Sequence, residues 1–225
     1  TDERATLTNM VAEMGGFTGI VAPDEETRDF LRERRGIDFT IEPWMHSDPD
    51  AEVAHTIRIE GSALEPLVAR PGDPGTGVAI TQLSAPVHID IAYGGSCTGG
   101  KRTDLIRCHE VLQWAADHGL KIAPGVRFII QFGSQDVRDF CAQQGMLETF
   151  IRTGVELLEP GCGACVNAGP GVSERAQQVT VSSINRNFPG RSGPGQVWLA
   201  SPTTVAASAL AGRIISFNQL RALSQ

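Results

Sequence analysis

Three of the chain's five cysteines stand in glycine-rich segments, each directly after a short apolar run. Cys162 and Cys165 form a Cys-x-x-Cys pair, and Cys97 lies far upstream behind Gly94 and Gly95. Glycine lets backbone N–H groups approach a bound group closely. A zinc site closed by cysteine alone needs four thiolates, whereas three suffice for an iron–sulfur cluster that leaves one iron open for a substrate. Lone Cys-x-x-Cys pairs are common, so the spacing alone does not favour a cluster site. It fits equally well a pair of buried, inert cysteines and an unrelated third cysteine.

Four segments resemble motifs of the aconitase family, and they occur in the family's order. Tyr93–Thr98 and Pro160–Cys165 resemble its two cluster-ligand motifs, Ser182–Arg191 resembles its substrate-arginine segment, and Thr8–Asp24 resembles its Asn/Glu helix. The large subunits of isopropylmalate dehydratase and homoaconitase form the branch with the closest resemblance. Gly99 departs from the pattern, because the family usually has asparagine at that position, and Ala164 stands at a position that varies within the family.

The resemblance implies a [4Fe-4S] cluster held by Cys97, Cys162 and Cys165. The open iron of such a cluster acts as a Lewis acid on the substrate hydroxyl. The implied reaction is the reversible dehydration and rehydration, an isomerisation, of a hydroxy di- or tricarboxylic acid. Isopropylmalate, homocitrate and citrate all fit, and the sequence leaves the choice among them open.

The resemblance also assigns roles to polar side chains around the cluster. Arg186 and Arg191 would bind substrate carboxylates, since a guanidinium makes two parallel hydrogen bonds to such a group. Asn185, beside the cluster, and Glu13, at the hydroxyl on the open iron, would be catalytic, and Asn9 would contact the substrate or the cluster. The alternatives are loose surface ion pairs for the arginines and a solvent-facing polar pair for Asn9 and Glu13, which share one face of a predicted helix.

The amino-acid composition disfavours several classes of protein. A net charge of −7 argues against nucleic-acid and membrane-surface partners, and no run of about 18 apolar residues is present to span a membrane. An odd number of cysteines does not indicate a secreted disulfide framework. A cytoplasmic protein is therefore predicted, although an N-terminal targeting segment could have preceded Thr1. Cys108 and Cys141 lie in helical patterns and are predicted to be packing residues.

The family's Asp-His pair and further histidines normally precede the segment that begins here, so we interpret the chain as part of a larger enzyme. The expected partners are a hydroxy-polycarboxylate substrate, an N-terminal region of the same protein, and a swivel domain or small subunit that carries the general-base serine. The rival hypothesis is a non-enzymatic zinc or redox module at Cys162 and Cys165. An RNA-binding regulator is disfavoured by the acidic charge balance.

Strands alternate with helices in the second half of the chain, which predicts an α/β fold. We expect three α/β/α layers around a mainly parallel sheet, similar to the aconitase iron–sulfur domain. The Gly/Pro-rich stretch 68–77 is the clearest linker, so the predicted domains are 1–72, the remainder of a first α/β domain, and 73–225, which carries the cysteines and arginines. Short strands are also predicted over 19–22 and 55–60. Because ligands of parallel sheets bind at the carboxyl ends of strands, the three motifs that follow predicted strands should converge.

Overall fold

A computed structural model describes residues 1–224. Its contacts divide the chain into two units, Thr1–Leu64 and a second that begins at Glu65. The first unit contains helices α1 (Asp2–Met10) and α2 (Glu25–Arg35), with short 3₁₀ turns at Ala12–Met14, Pro43–Met45 and Gly61–Ala63.

Helix α2 begins and ends where its sequence directs. Asp24 and Thr27 form a capping box: each side chain accepts a hydrogen bond from the other residue's backbone N–H. Arginines fill the last turn, where they complement the helix dipole. Gly36 follows in the left-handed conformation (φ 64°), which favours glycine.

The strands predicted over 19–22 and 55–60 are wrong, since neither segment forms a ladder with another. Ile20 and Ile57, which the pattern would place in a core, are 87% and 70% exposed. Within residues 1–64, all of which the structure describes, no side chain is buried. An apolar run becomes a strand only when a neighbour pairs with its backbone groups, and local sequence does not report that neighbour.

The second unit contains seven strands and six α-helices over residues 65–224. They are β1 (Leu67–Ala69), β2 (Gly77–Ala79), β3 (Ile91–Gly95), α3 (Ser96–Gly99), α4 (Arg102–Asp117), β4 (Arg127–Gln131), α5 (Gln135–Gln143), α6 (Met146–Thr153), β5 (Glu156–Leu158), β6 (Val179–Ser182), β7 (Gln196–Ala200), α7 (Pro202–Ala211) and α8 (Phe217–Leu223). The strand order is β2-β1-β7-β6-β3-β4-β5. Strands β7, β6, β3, β4 and β5 run parallel, and β1 is antiparallel to both of its neighbours. The predicted α/β class with a mainly parallel sheet is confirmed.

The turn-rich stretch 68–77 lies inside the second unit. It forms the β1–β2 hairpin, in which Val68 pairs with Val78, and Asp73 accepts the Gly75 N–H in the turn. The division between the units falls upstream of it, at Leu64–Glu65. Glycine and proline indicate that a chain turns, but they do not indicate whether the turn joins two domains or two strands.

Helices α4 to α8 all contribute to one hydrophobic cluster on one face of the sheet. One face of α4 is buried there and consists mainly of apolar residues: Leu105, Cys108, Val111, Leu112 and Ala115. Each large aliphatic side chain in such a cluster stabilises the fold by roughly 1.5–3 kcal/mol.

A second, smaller cluster lies on the opposite face and includes Ile91, Tyr93, Ile129 and Ala164. Ala164 belongs to the loop that carries Cys162 and Cys165, so this loop packs directly on the sheet. The alternation of side chains along β3 therefore aims Ala92 at the helices and Tyr93 at the cysteine loop.

Candidate functional site

The first cysteine motif forms the sharp turn between β3 and α3. Gly95 has φ 114°, and a Cβ there would lie 1.9 Å from the carbonyl oxygen of Gln131 on β4. Only glycine allows this approach. The Gly95 N–H donates to Ser183 Oγ at 3.0 Å, which ties the turn to the end of β6. Ser96 and Thr98 point into the protein, whereas Cys97 is exposed.

The second cysteine motif follows β5 and ends in a 3₁₀ turn, Gly163–Val166. The Cys165 N–H donates to the Cys162 carbonyl at 3.0 Å and closes the turn. Ala164 is buried against the sheet, and its carbonyl accepts a hydrogen bond from Ser192 Oγ at 2.8 Å. Cys162 is exposed and Cys165 is half-buried, so both thiols border the open side of the loop.

The Cys165 thiol of the second motif is hydrogen-bonded to Ser96 of the first motif, so the two motifs lie side by side. Burial raises the pKa of its thiol, and the neighbouring Cys97 and Cys162 raise it further. A hydrogen bond with Ser96 and the positive charge of Arg191 act in the opposite direction. Cys97 of the first motif, Cys162 of the second motif and one arginine therefore act on a single thiol. Strands β3, β4 and β5 run parallel, so the carboxyl ends after which the two motifs begin lie at the same edge of the sheet.

All five cysteines are free thiols. Among residues 1–224, no three His, Cys, Asp or Glu side chains are grouped closely enough to hold a single metal ion. A cluster has a different requirement, because each thiolate binds its own iron.

The arginine segment begins where β6 ends. Asn187 is buried, and its Nδ2 donates to the carbonyls of Arg70 (2.6 Å) and Val197 (3.2 Å), which fixes the segment to β1 and β7. The segment turns back at Gly190, which pairs with Gly193. Asn185 and Arg186, which precede Asn187, are half-buried.

Arg191 and Asn185 are joined by a hydrogen bond from Nη2 to Oδ1 at 3.1 Å. The Nε of Arg191 is buried and has no hydrogen-bond partner within residues 1–224. A buried donor without a partner is costly. The guanidinium is thus held at one nitrogen, while a second nitrogen is buried without a partner among the described residues.

Asn9 and Glu13 lie in the first unit. Asn9 is exposed near the end of α1, and Glu13 is half-buried in the 3₁₀ turn Ala12–Met14. The predicted helix that the two residues share is therefore divided: α1 ends at Met10, and a tighter 3₁₀ turn follows. Their assignment to the site stays a prediction.

Cys108 and Cys141 are buried on α4 and α5, in the cluster on the helical face of the sheet. Burial raises the pKa of both thiols, that of Cys141 to about 11. Their surroundings are those of packing residues, as the sequence predicts.

Gly99 has a steric reason to be glycine. A Cβ there would lie 2.3 Å from Ser183 Oγ and 2.5 Å from the Ser183 carbonyl oxygen. The space in which the family's asparagine would begin is therefore occupied by Ser183, and α3 packs directly on the end of β6.

Sequence reasoning missed Ser96, Ser183 and Ser192, which hold the two cysteine turns in place. Ser96 and Ser183 lie within recognised motifs and Ser192 directly follows one, but serine in a loop has no pattern that identifies its acceptor or donor. Ser183 and Gly95 are 88 positions apart in the sequence, and the parallel pairing of β3 with β6 brings them together.

Comparison with known proteins agrees with this geometry. The sequence model of the aconitase family (aconitate hydratase) matches residues 1–212. The chain belongs to the aconitase family. All four motifs, the converging cysteines and the two arginines lie within the matched residues of this aconitase-family chain.

Several curated relatives are similar over nearly the whole chain. The 3-isopropylmalate dehydratase large subunits of Campylobacter hominis and Aquifex aeolicus are 39% and 36% identical over 217 residues, 95% of this chain. A protein named probable methanogen homoaconitase large subunit, from Methanosarcina mazei, is 40% identical over 212 residues, 94% of this chain. These alignments cover 50%, 49% and 51% of the three relatives, so the chain spans about half the length of the curated relatives it matches. In the part of the chain described, no helix is long and apolar enough to cross a membrane.

Proposed function

We propose that this chain carries the cluster-binding and carboxylate-binding part of an aconitase-type hydro-lyase. The observation that carries the proposal is the convergence of Cys97, Cys162 and Arg191 on Cys165. The reaction would be the reversible dehydration and rehydration of a hydroxy di- or tricarboxylic acid.

The donor set suits a [4Fe-4S] cluster with one open iron. Three free thiols lie just beyond the ends of β3 and β5. Cys108 and Cys141 are instead buried in the hydrophobic cluster on the opposite face of the sheet. Cys97, Cys162 and Cys165 would hold the cluster. When bound, it would supply a Lewis acid that makes the substrate hydroxide a better leaving group.

The arginine segment would bind and orient the substrate. Arg191 is fixed by Asn185 through Nη2, which leaves its buried Nε to donate to a carboxylate oxygen. Arg186, directly after Asn185, would hold a second carboxylate oxygen or a second carboxylate. Since guanidinium–carboxylate pairs are directional, two arginines would select a polycarboxylate and set the position of its hydroxyl.

Asn185 and Glu13 complete the proposed catalytic set, and Asn9 the substrate-binding set. Asn185 would orient Arg191 and contact cluster or substrate. Glu13 would hold the proton of the leaving hydroxyl or of the returning water.

The relatives are named as isopropylmalate dehydratase and homoaconitase subunits. Isopropylmalate and homocitrate share a malate-like half, and we propose that the arginines hold this half. Because those relatives are named large subunits, we propose that a small subunit, or a fused swivel domain, completes the site. The group that distinguishes one hydroxy acid from another would contact that partner.

Anaerobic reconstitution with ferrous iron and sulfide tests the proposal. The protein should turn brown and bind about four irons, and Cys97→Ser, Cys162→Ser and Cys165→Ser should each lose most of that iron. Cys141→Ala is the matched control, because it removes a thiol that is buried in the hydrophobic cluster on the helical face of the sheet. This variant should keep the iron. Equal iron in all variants, or a colourless protein that binds zinc instead, would contradict the cluster and favour the zinc or redox module. A substrate panel with the small subunit present then identifies the hydroxy acid.

A further inference from the structure

A buried polar pair lies beneath the Cys162–Cys165 loop. Tyr93 on β3 and Gln131 on β4 are 1% and 4% exposed. The Tyr93 hydroxyl donates to Gln131 Oε1, and Gln131 Nε2 donates to the Glu159 carbonyl at 3.2 Å. Both side chains point to the same face of the sheet, because Tyr93 pairs with Ile129 and Gln131 follows Ile129 by two positions.

The loop contacts this pair on both sides of Cys162. A Cβ on Gly163 would lie 2.9 Å from both the Tyr93 hydroxyl oxygen and Gln131 Oε1, and one on Gly161 would lie 3.4 Å from Gln131 Nε2. The backbone at Gly163 can therefore approach the pair only because it has no side chain, and its φ of 46° also favours glycine.

The ring of Tyr93 supports the same loop further along. A Cβ on Gly171 would lie 2.3 Å from Tyr93 Cδ2, and Ala164 packs with Tyr93 in the smaller cluster. Ser192 holds the loop through the Ala164 carbonyl. Tyr93 and Gln131 thus lie directly beneath the segment that carries the cysteine pair.

We propose that Tyr93 and Gln131 are positioning residues for the cluster thiols, a role that rests on the proposed function. Neither carries a thiol or faces the open side of the loop. Their hydrogen bond keeps the Gln131 amide in the orientation that lets it accept from Tyr93 and donate to the Glu159 carbonyl. The cysteine loop packs against the amide in this orientation. If the bond is lost, a buried amide oxygen lacks its donor and Gln131 must turn toward another. The glycines that pack against it then move, and Cys162 moves with them.

Chelator competition on the reconstituted protein measures the effect. Tyr93→Phe keeps the ring and removes the hydroxyl, while Gln131→Leu removes the amide. Each single variant should lose iron to the chelator at about 10- to 100-fold lower chelator concentration than the unmodified protein, the usual range for residues that orient metal ligands. The double variant should recover most of the retention, because it removes the hydroxyl and the amide together, and the carbonyl of Glu159, an exposed residue, can accept from water in place of Gln131 Nε2.

Alkylation of the metal-free protein supplies a readout that does not depend on the cluster. The ratio of the alkylation rate of Cys162 to that of Cys97 should change in both single variants. In the double variant this ratio should return to the value of the unmodified protein. Thr153→Val is the control: it removes a buried hydroxyl that bonds only within α6 and should leave this ratio unchanged.

The outcomes separate this inference from the proposed function. A protein that takes up no cluster refutes the proposed function, and the alkylation ratio then decides the positioning role alone. A protein that takes up the cluster while both single variants retain it and keep the ratio refutes the positioning role. A double variant no better than the single ones also refutes it, because lost packing rather than the hydrogen bond would then be responsible.

Discussion

Gly99→Ala should destabilise the second unit and disturb Cys97. The added Cβ would meet the Ser183 Oγ, carbonyl oxygen and Cβ at 2.3, 2.5 and 2.6 Å. Ser183 cannot easily give way, because its Oγ accepts the Gly95 N–H and its own N–H donates to the Tyr93 carbonyl, both at 3.0 Å. Either α3 or the end of β6 must move.

The size of the effect follows from two opposing terms. Overpacking of this kind costs about 1–3 kcal/mol. Alanine is favoured over glycine by about 1 kcal/mol inside a helix, but Gly99 is the last residue of a four-residue helix, so only part of that gain applies. The free energy of unfolding should therefore fall by about 1–2 kcal/mol, and each kcal/mol lowers the Tm by roughly 2–4 °C in a protein of this size.

Urea unfolding and iron analysis of the same variant form the assay. Gly77→Ala is the matched control, since no heavy atom lies within 4 Å of a Cβ at that position in β2. Gly99→Ala should unfold at lower urea than the control and, after reconstitution, hold less iron because Cys97 is displaced. If both variants unfold at the same concentration and hold the same iron, the contact between α3 and Ser183 does not constrain residue 99.

Three further predictions address other parts of the chain. In the assembled enzyme, Arg191→Lys should raise KM about 10- to 100-fold at unchanged iron content, because lysine keeps the charge but loses the two-pronged contact; steady-state kinetics with an unchanged KM would remove Arg191 from the site. Cys108 and Cys141 should resist iodoacetamide at about pH 8 until the protein unfolds, since burial raises both pKa values; peptide mass spectrometry that finds either modified in the native protein would contradict this. Arg4→Gln should raise the pKa of Asp24 from about 2 toward 3.8. The reason is that the bidentate hydrogen bonding with Arg4 is the largest cause of the lowered pKa. The stability contributed by this pair is present above about pH 4 and is lost as pH falls toward the native pKa. A side-chain NMR titration with the same midpoint in both proteins would refute the pairing.

The elements with a strong local pattern could be predicted from the sequence. The sequence pattern predicts a strand over 127–131 and helices over 146–153 and 202–211, and β4, α6 and α7 have these bounds. Their apolar spacing and their capping residues lie within the segment itself, so local physics suffices. The strands predicted over 19–22 and 55–60 failed because pairing partners are not local information.

The sequence by itself determined which groups are present: three thiols in glycine-rich turns, and two arginines in a loop that cannot serve as core. The motifs were sufficient to indicate the family. Only the tertiary structure decided how these groups meet. The order β6-β3-β4-β5 aligns the carboxyl ends of parallel strands, which brings Cys97 to Cys165, Ser183 against Gly99, and Tyr93 and Gln131 under the cysteine loop. These contacts join residues far apart in the chain through main-chain hydrogen bonds and close backbone approach, neither of which has a pattern in the amino-acid order.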